Sequence, residues 1–391
     1  MLKIASATSG DPASLSAAAE TAAAVSSGLG GVRPDLVFVF ASRHHAPELE
    51  ETIAAIQRSL KPRHLIGCTA GGIIGGQVEY EGRPALSVWA GSLPSAVIAS
   101  SQIELDETPD GQAFPGIPEI PAGPATLLLL AEPFSFPTDS LLARLGEDHP
   151  ELQVLGGMAS AARSPGENRL FLGGEVLVDG AVGVVISGGV RVRPLVSQGC
   201  RPFGKPLVIT KSENNIIFEL GGRSALEKLA EQLKLVTPAE RPLLERGLHI
   251  GLAIDARKRQ HHRGDFLVRN VVGFVRDRGA IAVGDVVKLG TTVQFHLRDS
   301  MTASEDLQLL LREAKMLGAE PAGGLLFSCN GRGSRFFESP NHDPACVARE
   351  LGSIPLSGFF AAGEIGPIGG QNFLHGFTAS LALFEENSSD S

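Results

Sequence analysis

Cysteine is scarce in this chain: among 391 residues there are four, Cys68, Cys200, Cys329 and Cys346, far apart from one another. They form neither a CxxC pair nor the dense framework of a small secreted scaffold, so reduced thiols in a cytoplasmic protein are expected. Long apolar runs are missing too. No stretch approaches the roughly 20 apolar residues a membrane helix needs, and the N-terminus lacks a charged-then-apolar export signal, so neither membrane nor export is expected. A basic stripe is also absent: the net charge is -9, and the one dense basic run, Arg257 to Arg263, lies between apolar segments and reads as a solvated loop. Nucleic acid is therefore not an expected partner. No Cys/His spacing matches a metal-ligand set, no GK(S/T) closes a phosphate loop, and no strand-GxGxxG-helix places a dinucleotide, so neither metal nor cofactor is expected.

What is present suits a folded globular protein. The hydrophobic share is 43% and the charged share 20%, which excludes wholesale disorder. The length exceeds the roughly 250 to 300 residues that one core serves, so two domains or one large duplicated body are expected. Leu2 to Ala7 reads as a strand, Asp11-Pro12 as a helix start and Ala17 to Val25 as the helix body. Leu36 to Phe40 is short and uniformly apolar, as a strand buried on both faces would be. Pro47 to Leu60 has apolar residues at helical spacing, and His64 to Ile66 then empties into the glycine-rich Gly67-Cys68-Thr69-Ala70-Gly71-Gly72, with a strand following at Ala85 to Trp89.

That order recurs. Thr126 to Leu130, a helix opening at Ser140, Gln153 to Leu155, Gly156-Gly157 and a strand from Ala181 to Ile186 form a second series. Leu325 to Phe327, a helix at Pro344 to Leu351, Ile354 to Phe360 with a glycine turn, and Phe377 to Phe384 form a third. From Leu36 to Gly67, Leu127 to Gly156 and Leu325 to Gly358 the separations are about 31, 29 and 33 residues, which points to an internal repeat of β-α-β-loop-β units. The expected fold is α/β (α+β): mixed sheets flanked by helices in two related halves. Between the second and third series, Pro206 to Lys315 adds a sheet-rich unit with a meander from Phe266 to Leu297 and an amphipathic helix from Ala303 to Leu317, whose apolar stripe is for packing.

The strand followed by GCTAGG, together with LLFSCNGRG, GFFAAGEIGP and FLHGFTASLALF in the C-terminal part, resembles the FIST-domain family. In that match residues near 34 to 230 correspond to FIST N and roughly 231 to 370 to FIST C, giving expected domains of 1–230 and 231–391. The resemblance implies an intracellular sensory or ligand-binding module of signal transduction, with small ligands such as amino acids. Some members carry signalling output domains or, in eukaryotes, an F-box. This chain ends soon after Phe384, so readout is expected through a separate partner protein.

Candidate ligand-binding residues follow from the chemistry of the third series. Cys329 and Asn330 lie at a strand end, and Arg332, between Gly331 and Gly333, is placed to offer its planar fork to a carboxylate or phosphate. The alternative is that Arg332 pairs with a neighbouring acid to fix the loop. Gly363 and Glu364 sit among small apolar residues, where a carboxylate needs a partner or a raised pKa. Two readings stay open: a buried Arg332–Glu364 pair, or a pocket in which one holds the carboxylate and the other the ammonium of an amino acid. His375 and Thr378 lead into the last strand and line the same cleft or serve structurally. Cys68 and Thr69, in the first glycine turn, are the repeat-equivalent candidates. An enzyme using Cys329 or Glu364, with His342 or His375 as base, and a protein-interaction scaffold are the competing readings; no catalytic residue is assigned.

Overall fold

A computed structural model describes residues 1–109, 111–245, 247–255, 258, 261 and 264–387. Of the basic run 257–263 only Lys258 and His261 are among them, so the solvated-loop expectation falls largely outside the described residues.

The apolar runs form strands covered on both faces. The chain begins β1 (Lys3–Ser9), α1 (Ser14–Gly28), β2 (Leu36–Ser42), α2 (Leu49–Leu60), β3 (His64–Ala70), the hairpin β4 (Gly72–Gly75) and β5 (Val78–Glu81), and β6 (Leu86–Ser92). A second stretch comprises β7 (Ala96–Ile103), the small hairpin β8 (Asp106–Thr108) and β9 (Gly111–Ala113), β10 (Ala125–Ala131), α3 (Thr138–Asp148), β11 (Gln153–Met158), the hairpin β12 (Leu170–Leu172) and β13 (Glu175–Leu177), and β14 (Ala181–Gly188). After β15 (Val190–Gln198) come β16 (Cys200–Glu213), β17 (Ile216–Leu220), β18 (Arg223–Ser224), α4 (Ala225–Leu233), α5 (Arg241–Leu244), β19 (Leu248–Ala253), β20 (Phe266–Val275), β21 (Ala280–Val283) and β22 (Thr292–Arg298). The last stretch is α6 (Ser300–Met316), β23 (Gly323–Cys329), α7 (Ser334–Phe337), α8 (His342–Leu351), β24 (Leu356–Ala361), the hairpin β25 (Glu364–Ile368) and β26 (Gln371–His375), and β27 (Thr378–Glu386).

By compactness the chain divides into residues 1–197 with 307–391, and residues 198–306. This partition follows packing, whereas 1–230 and 231–391 follow motif content. The smaller unit is an antiparallel sheet in which β16 pairs both β22 and β17, closing β16, β22, β19, β20, β21 and β17 into a barrel without free edges among its central strands. Ile250, Ile281, Val293 and Phe295 fill it.

The larger unit holds three six-stranded mixed sheets with one shared order of pairing: β1-β6-β2-β3-β12-β13, β7-β14-β10-β11-β25-β26 and β15-β27-β23-β24-β4-β5. In each, a β-α-β crossover supplies the parallel central pair, β2 with β3, β10 with β11 and β23 with β24. The hairpin completing each sheet comes from a different stretch. β12 joins β3, β25 joins β11 and β4 joins β24, so the three hairpins are exchanged in a cycle. Inner faces of all three sheets meet in one core, with Phe38, Phe40, Leu128, Leu130, Phe327 and Phe359 fully buried. The opposite faces pack under helices, Val37 and Val39 with the apolar faces of α1 and α2, and Leu326 with Leu307, Leu311 and Val347. Two-sided burial is why these strands read as continuous apolar runs.

The glycines marking each series are not turn residues, and this corrects the expectation. Gly67, Gly156 and Gly358 lie inside β3, β11 and β24, opposite Val39, Leu129 and Leu326. A Cβ there would stand 2.0, 1.9 and 1.9 Å from the carbonyl oxygens of those partners, so only glycine permits the approach. Cys68 and Thr69 are accordingly strand residues of β3, and β24 runs on past Gly358 to Ala361. Gly358→Ala is expected to lower stability in urea unfolding by about 1–3 kcal/mol or more, because backbone must move. Gly146→Ala in α3, where nothing lies within 4 Å, is expected to raise it by about 0.5–1 kcal/mol.

Candidate functional site

β23 delivers the chain to Cys329, and the turn that follows, closed by Arg332 N–H donating to Cys329 O at 2.8 Å, sends the Arg332 side chain inward. Its guanidinium is fully buried and engaged by Asp343 in the first turn of α8: Nε donates to Oδ2 and Nη2 to Oδ1, each at 2.8 Å. Ser328 Oγ donates to the same carboxylate at 2.7 Å, and His342 Nδ1 lies 2.9 Å from Oδ1. Burial pushes the Asp343 pKa up, but the Arg332 charge and hydrogen bonds overcome it and hold the carboxyl well below the usual range. Phe337 stacks on the His342 ring at 3.5 Å between centroids and has the Arg332 guanidinium carbon 5.0 Å from its own. The Arg332 fork is thus committed to an acid within the loop, and the acid is Asp343 rather than Glu364. Its third nitrogen, Nη1, is buried without a hydrogen-bond partner among the described residues.

Two carboxyls from the β4–β5 hairpin hold this loop from the first stretch of chain. Glu79 accepts from Asn341 N–H at 2.8 Å and from Asp343 N–H at 3.3 Å, and Glu81 accepts from Ser334 N–H at 2.9 Å. Burial, with the Asp343 charge adding to it, raises Glu79 to about 7.

Glu364 opens β25 and is completely buried. Its Oε2 accepts from Thr378 N–H at 3.0 Å and Thr378 Oγ at 2.8 Å, while Oε1 has no partner among the described residues. Phe377, with φ of 65°, holds the left-handed conformation that aims both Thr378 donors at this carboxyl, a costly geometry for a bulky side chain. Burial raises Glu364 to about 8, opposed by the Thr378 bonds, the Cys329 thiol and the Arg332 charge. Burial thus favours the protonated form of Glu364. Cys329, Arg332, Glu364 and Thr378 form one cluster.

The shared register of the three sheets shows what is peculiar to this cluster. Counting from the glycine opposite each hairpin, Glu364 corresponds to Leu170 and Ile73, which face Cys68 and Phe359. Across the hairpin, His375 corresponds to Leu177 and Tyr80. Thr378, next to the end of β23, corresponds to Gly180 and Ala85, whose carbonyls receive Glu132 N–H and Ser42 N–H. Where the corresponding positions hold Leu170 and Ile73, Leu177 and Tyr80, and Gly180 and Ala85, the β25–β26 hairpin of the second sheet places a carboxyl and an imidazole and β27 of the third sheet a hydroxyl.

Of the other sequence candidates, His375, Gly363 and Asn330 border the cluster, whereas Cys68 and Thr69 lie in β3 of the first sheet. His375 is buried, with Nε2 2.9 Å from Gly366 O, and Gly363 leaves room for the Met158 methyl, 2.6 Å from where its Cβ would be. Asn330 is exposed and its N–H donates to Ala361 O. Cys68 lies in the shared core, its thiol pKa raised well above the ordinary value by burial. Thr69 Oγ accepts from Arg169 N–H at 2.9 Å. Sequence reasoning missed Asp343, Glu79 and Ser328. Asp343 carried a signal, an acid beside proline at a helix start; Glu79 carried none, because its partners lie 262 and 264 positions away.

Comparison with known proteins agrees with the motifs. The FIST N domain model matches residues 35–223 and the FIST C domain model residues 225–367. An uncharacterized protein of Mycobacterium tuberculosis is 44% identical over 369 residues, 94% of this chain and 96% of that protein. An uncharacterized protein of Mycobacterium bovis is 40% identical over 378 residues, covering 96% and 97%.

Arg332→Ala leaves Asp343 buried and unpaired, and the expected loss is about 3–5 kcal/mol in urea unfolding, largely recovered when Asp343→Asn is added. The raised carboxyls set a pH trend. A carboxyl whose pKa is higher folded than unfolded stabilises fully below its ordinary value of 4.5, and that contribution fades as pH rises through about 7 for Glu79 and about 8 for Glu364. His249 and His296, lowered to about 4 by burial, act with opposite sign only below about 6.5. Stability is therefore expected to fall between pH 6.5 and 8, with a shallower slope in Glu364→Gln.

Proposed function

The chain belongs to the FIST family, and we propose that it is a ligand-binding sensory module of signal transduction whose small polar ligand engages the cluster of Cys329, Arg332, Glu364 and Thr378. One observation carries this reading. A buried donor, Arg332 Nη1, and a buried carboxyl oxygen, Glu364 Oε1, each lack a partner among the described residues, and the positions corresponding to Glu364 in the other two sheets hold Leu170 and Ile73. Buried polar groups without partners cost about 1–3 kcal/mol each, and a ligand that satisfies both recovers that cost on binding.

An amino acid has the required pair of groups. Its carboxylate would accept from Arg332 Nη1 and its ammonium would sit on Glu364, expelling the Glu364 proton. Because Arg332 is already neutralised by Asp343, much of the affinity would come from completing hydrogen bonds rather than from net charge. Asn330, Gly363 and His375 would frame the ligand, and Cys68 and Thr69 belong to the corresponding region of the first sheet. The shared strand order and the three marker glycines support an internal threefold repeat. The family matches, which break between residues 223 and 225, support a division into 1–230 and 231–391 by ancestry. No helix among the described residues is long and apolar enough to cross a membrane, and four unbridged thiols support a cytoplasmic setting.

A second reading, an enzyme in which the Cys329 thiol attacks beside Glu364, is favoured by Cys329 being the least buried of the four cysteines. The bases weighed for it are otherwise occupied, His342 with Asp343 and His375 with Gly366 O.

Glu364→Leu, the residue found at the corresponding position 170, is expected to keep or raise the melting temperature of the unliganded protein while abolishing ligand-induced shifts. A thermal-shift panel of amino acids and small organic acids on wild type and variant checks this, with protection of Cys329 from alkylation as second readout. If no compound stabilises wild type, the ligand reading loses its support.

A further inference from the structure

The carboxyl end of the first parallel pair, β2 with β3, carries a cavity of about 340 Å³ lined by Arg43, Ala46, Thr69, Ala161, Arg163 and Glu167. It lies at the same end of its β-α-β unit as Cys329 does in the third sheet, and carboxyl ends of parallel strands are where α/β folds collect ligands. The electrostatics differ from the third sheet. There the guanidinium is sealed against an acid; here two guanidinium groups are exposed, and neither Arg43 nor Arg163 has an ion-pair or hydrogen-bond partner for its side chain among the described residues. Each arginine comes from a different stretch. Arg43 directly follows β2, and Arg163 lies in the segment between β11 and β12.

That segment is anchored from beneath. Glu132, buried at the end of β10, accepts from Asn168 Nδ2 at 3.0 Å, and Asn168 Oδ1 accepts from Ala162 N–H at 2.9 Å, one residue before Arg163. Glu167 shares the cavity wall, but its Oε2 is engaged by the N–H groups of Arg163 at 3.0 Å and Ser164 at 3.3 Å. Two cations and one carboxylate leave an excess of one positive charge around a hydroxyl-bearing recess.

We propose that this recess is an anion subsite: Arg43 and Arg163 bind the phosphate or carboxylate group of a small metabolite, with Thr69 beside it. Guanidinium forks match oxyanions in planar, paired hydrogen bonds, and the volume is at the low end of small-ligand cavities. The inference goes beyond the Glu364 cluster and stands without it. Thr69 lines the recess with its Oγ engaged by the Arg169 backbone.

The test is isothermal titration with inorganic phosphate and, as the carboxylate arm, succinate, at constant ionic strength set with potassium chloride. Wild type is expected to bind at least one of them saturably in the millimolar range or tighter. Arg43→Ala and Arg163→Ala are each expected to weaken binding about tenfold, as loss of a charge-assisted hydrogen bond implies. Arg58→Ala, on the exposed face of α2, is expected to leave anion affinity unchanged. Absence of saturable binding of either anion, or equal affinity in wild type and the Arg43→Ala/Arg163→Ala double variant, overturns the subsite. Loss of binding in Glu364→Leu would merge the two sites and overturn their independence, so failure here is separable from failure of the sensory reading.

Discussion

The closeness of two backbones at Val39–Gly67, Leu129–Gly156 and Leu326–Gly358 is the constraint from which the larger unit follows. With no Cβ on the second strand, each parallel pair closes to a separation that side chains would forbid. The far side of that second strand is then open to a hairpin, and it receives one from elsewhere in the chain. Three such closures, with hairpins exchanged in a cycle, leave three inner sheet faces with one place to bury their phenylalanines: against each other. Phe40 meets Phe359 at 5.0 Å and Phe327 at 6.4 Å, so the first and third sheets share an aromatic seam.

Against that regular background the junction between the β25–β26 hairpin of the second sheet and the ends of β23 and β27 in the third departs from the shared architecture. A carboxyl stands where the other sheets hold Leu170 and Ile73, beside a left-handed phenylalanine and a buried ion pair, each a costly feature. Costs of that kind concentrate where a protein does something other than fold. The Arg332–Asp343 pair fixes the turn after β23, and the Phe377 conformation fixes Thr378; between them they set the positions of the polar atoms that have no partner. Arg43 and Arg163, beside the first parallel pair, meet the opposite condition, with charge at the surface and no side-chain partner among the described residues.

Much of this was legible in the sequence, and the misses have physical causes. LVFVF announced a strand covered on both faces, Thr126 to Leu130 and Leu325 to Phe327 announced strands, and the apolar spacing of Leu49, Ile53, Ile56 and Leu60 announced α2. The importance of Gly67, Gly156 and Gly358 was visible, but a glycine signals a turn and a tight strand contact with the same letter; what decides is the carbonyl facing it, which only pairing reveals. Of the cluster, Cys329, Arg332, Glu364 and Thr378 were picked from their odd chemistry among glycines. The partner of Arg332 was not, because Asp343 and Glu364 are both plausible acids and the choice depends on where α8 begins. The hairpin exchange left no local trace: β4 and β24 are strands of ordinary composition whose pairing is a long-range event.

The exchange also governs how the chain can fold as it is made. The first sheet is complete once β13 has emerged, but the β4–β5 hairpin has no sheet of its own until β24 appears, nearly three hundred residues later. At ordinary synthesis rates that interval is on the order of tens of seconds. Throughout it, the Gly72–Gly75 strand carries an unpaired edge with two large isoleucines, the kind of edge that recruits a neighbouring nascent chain. Vectorial synthesis thus delays completion of the third sheet until β24 has emerged, long after its edge hairpin.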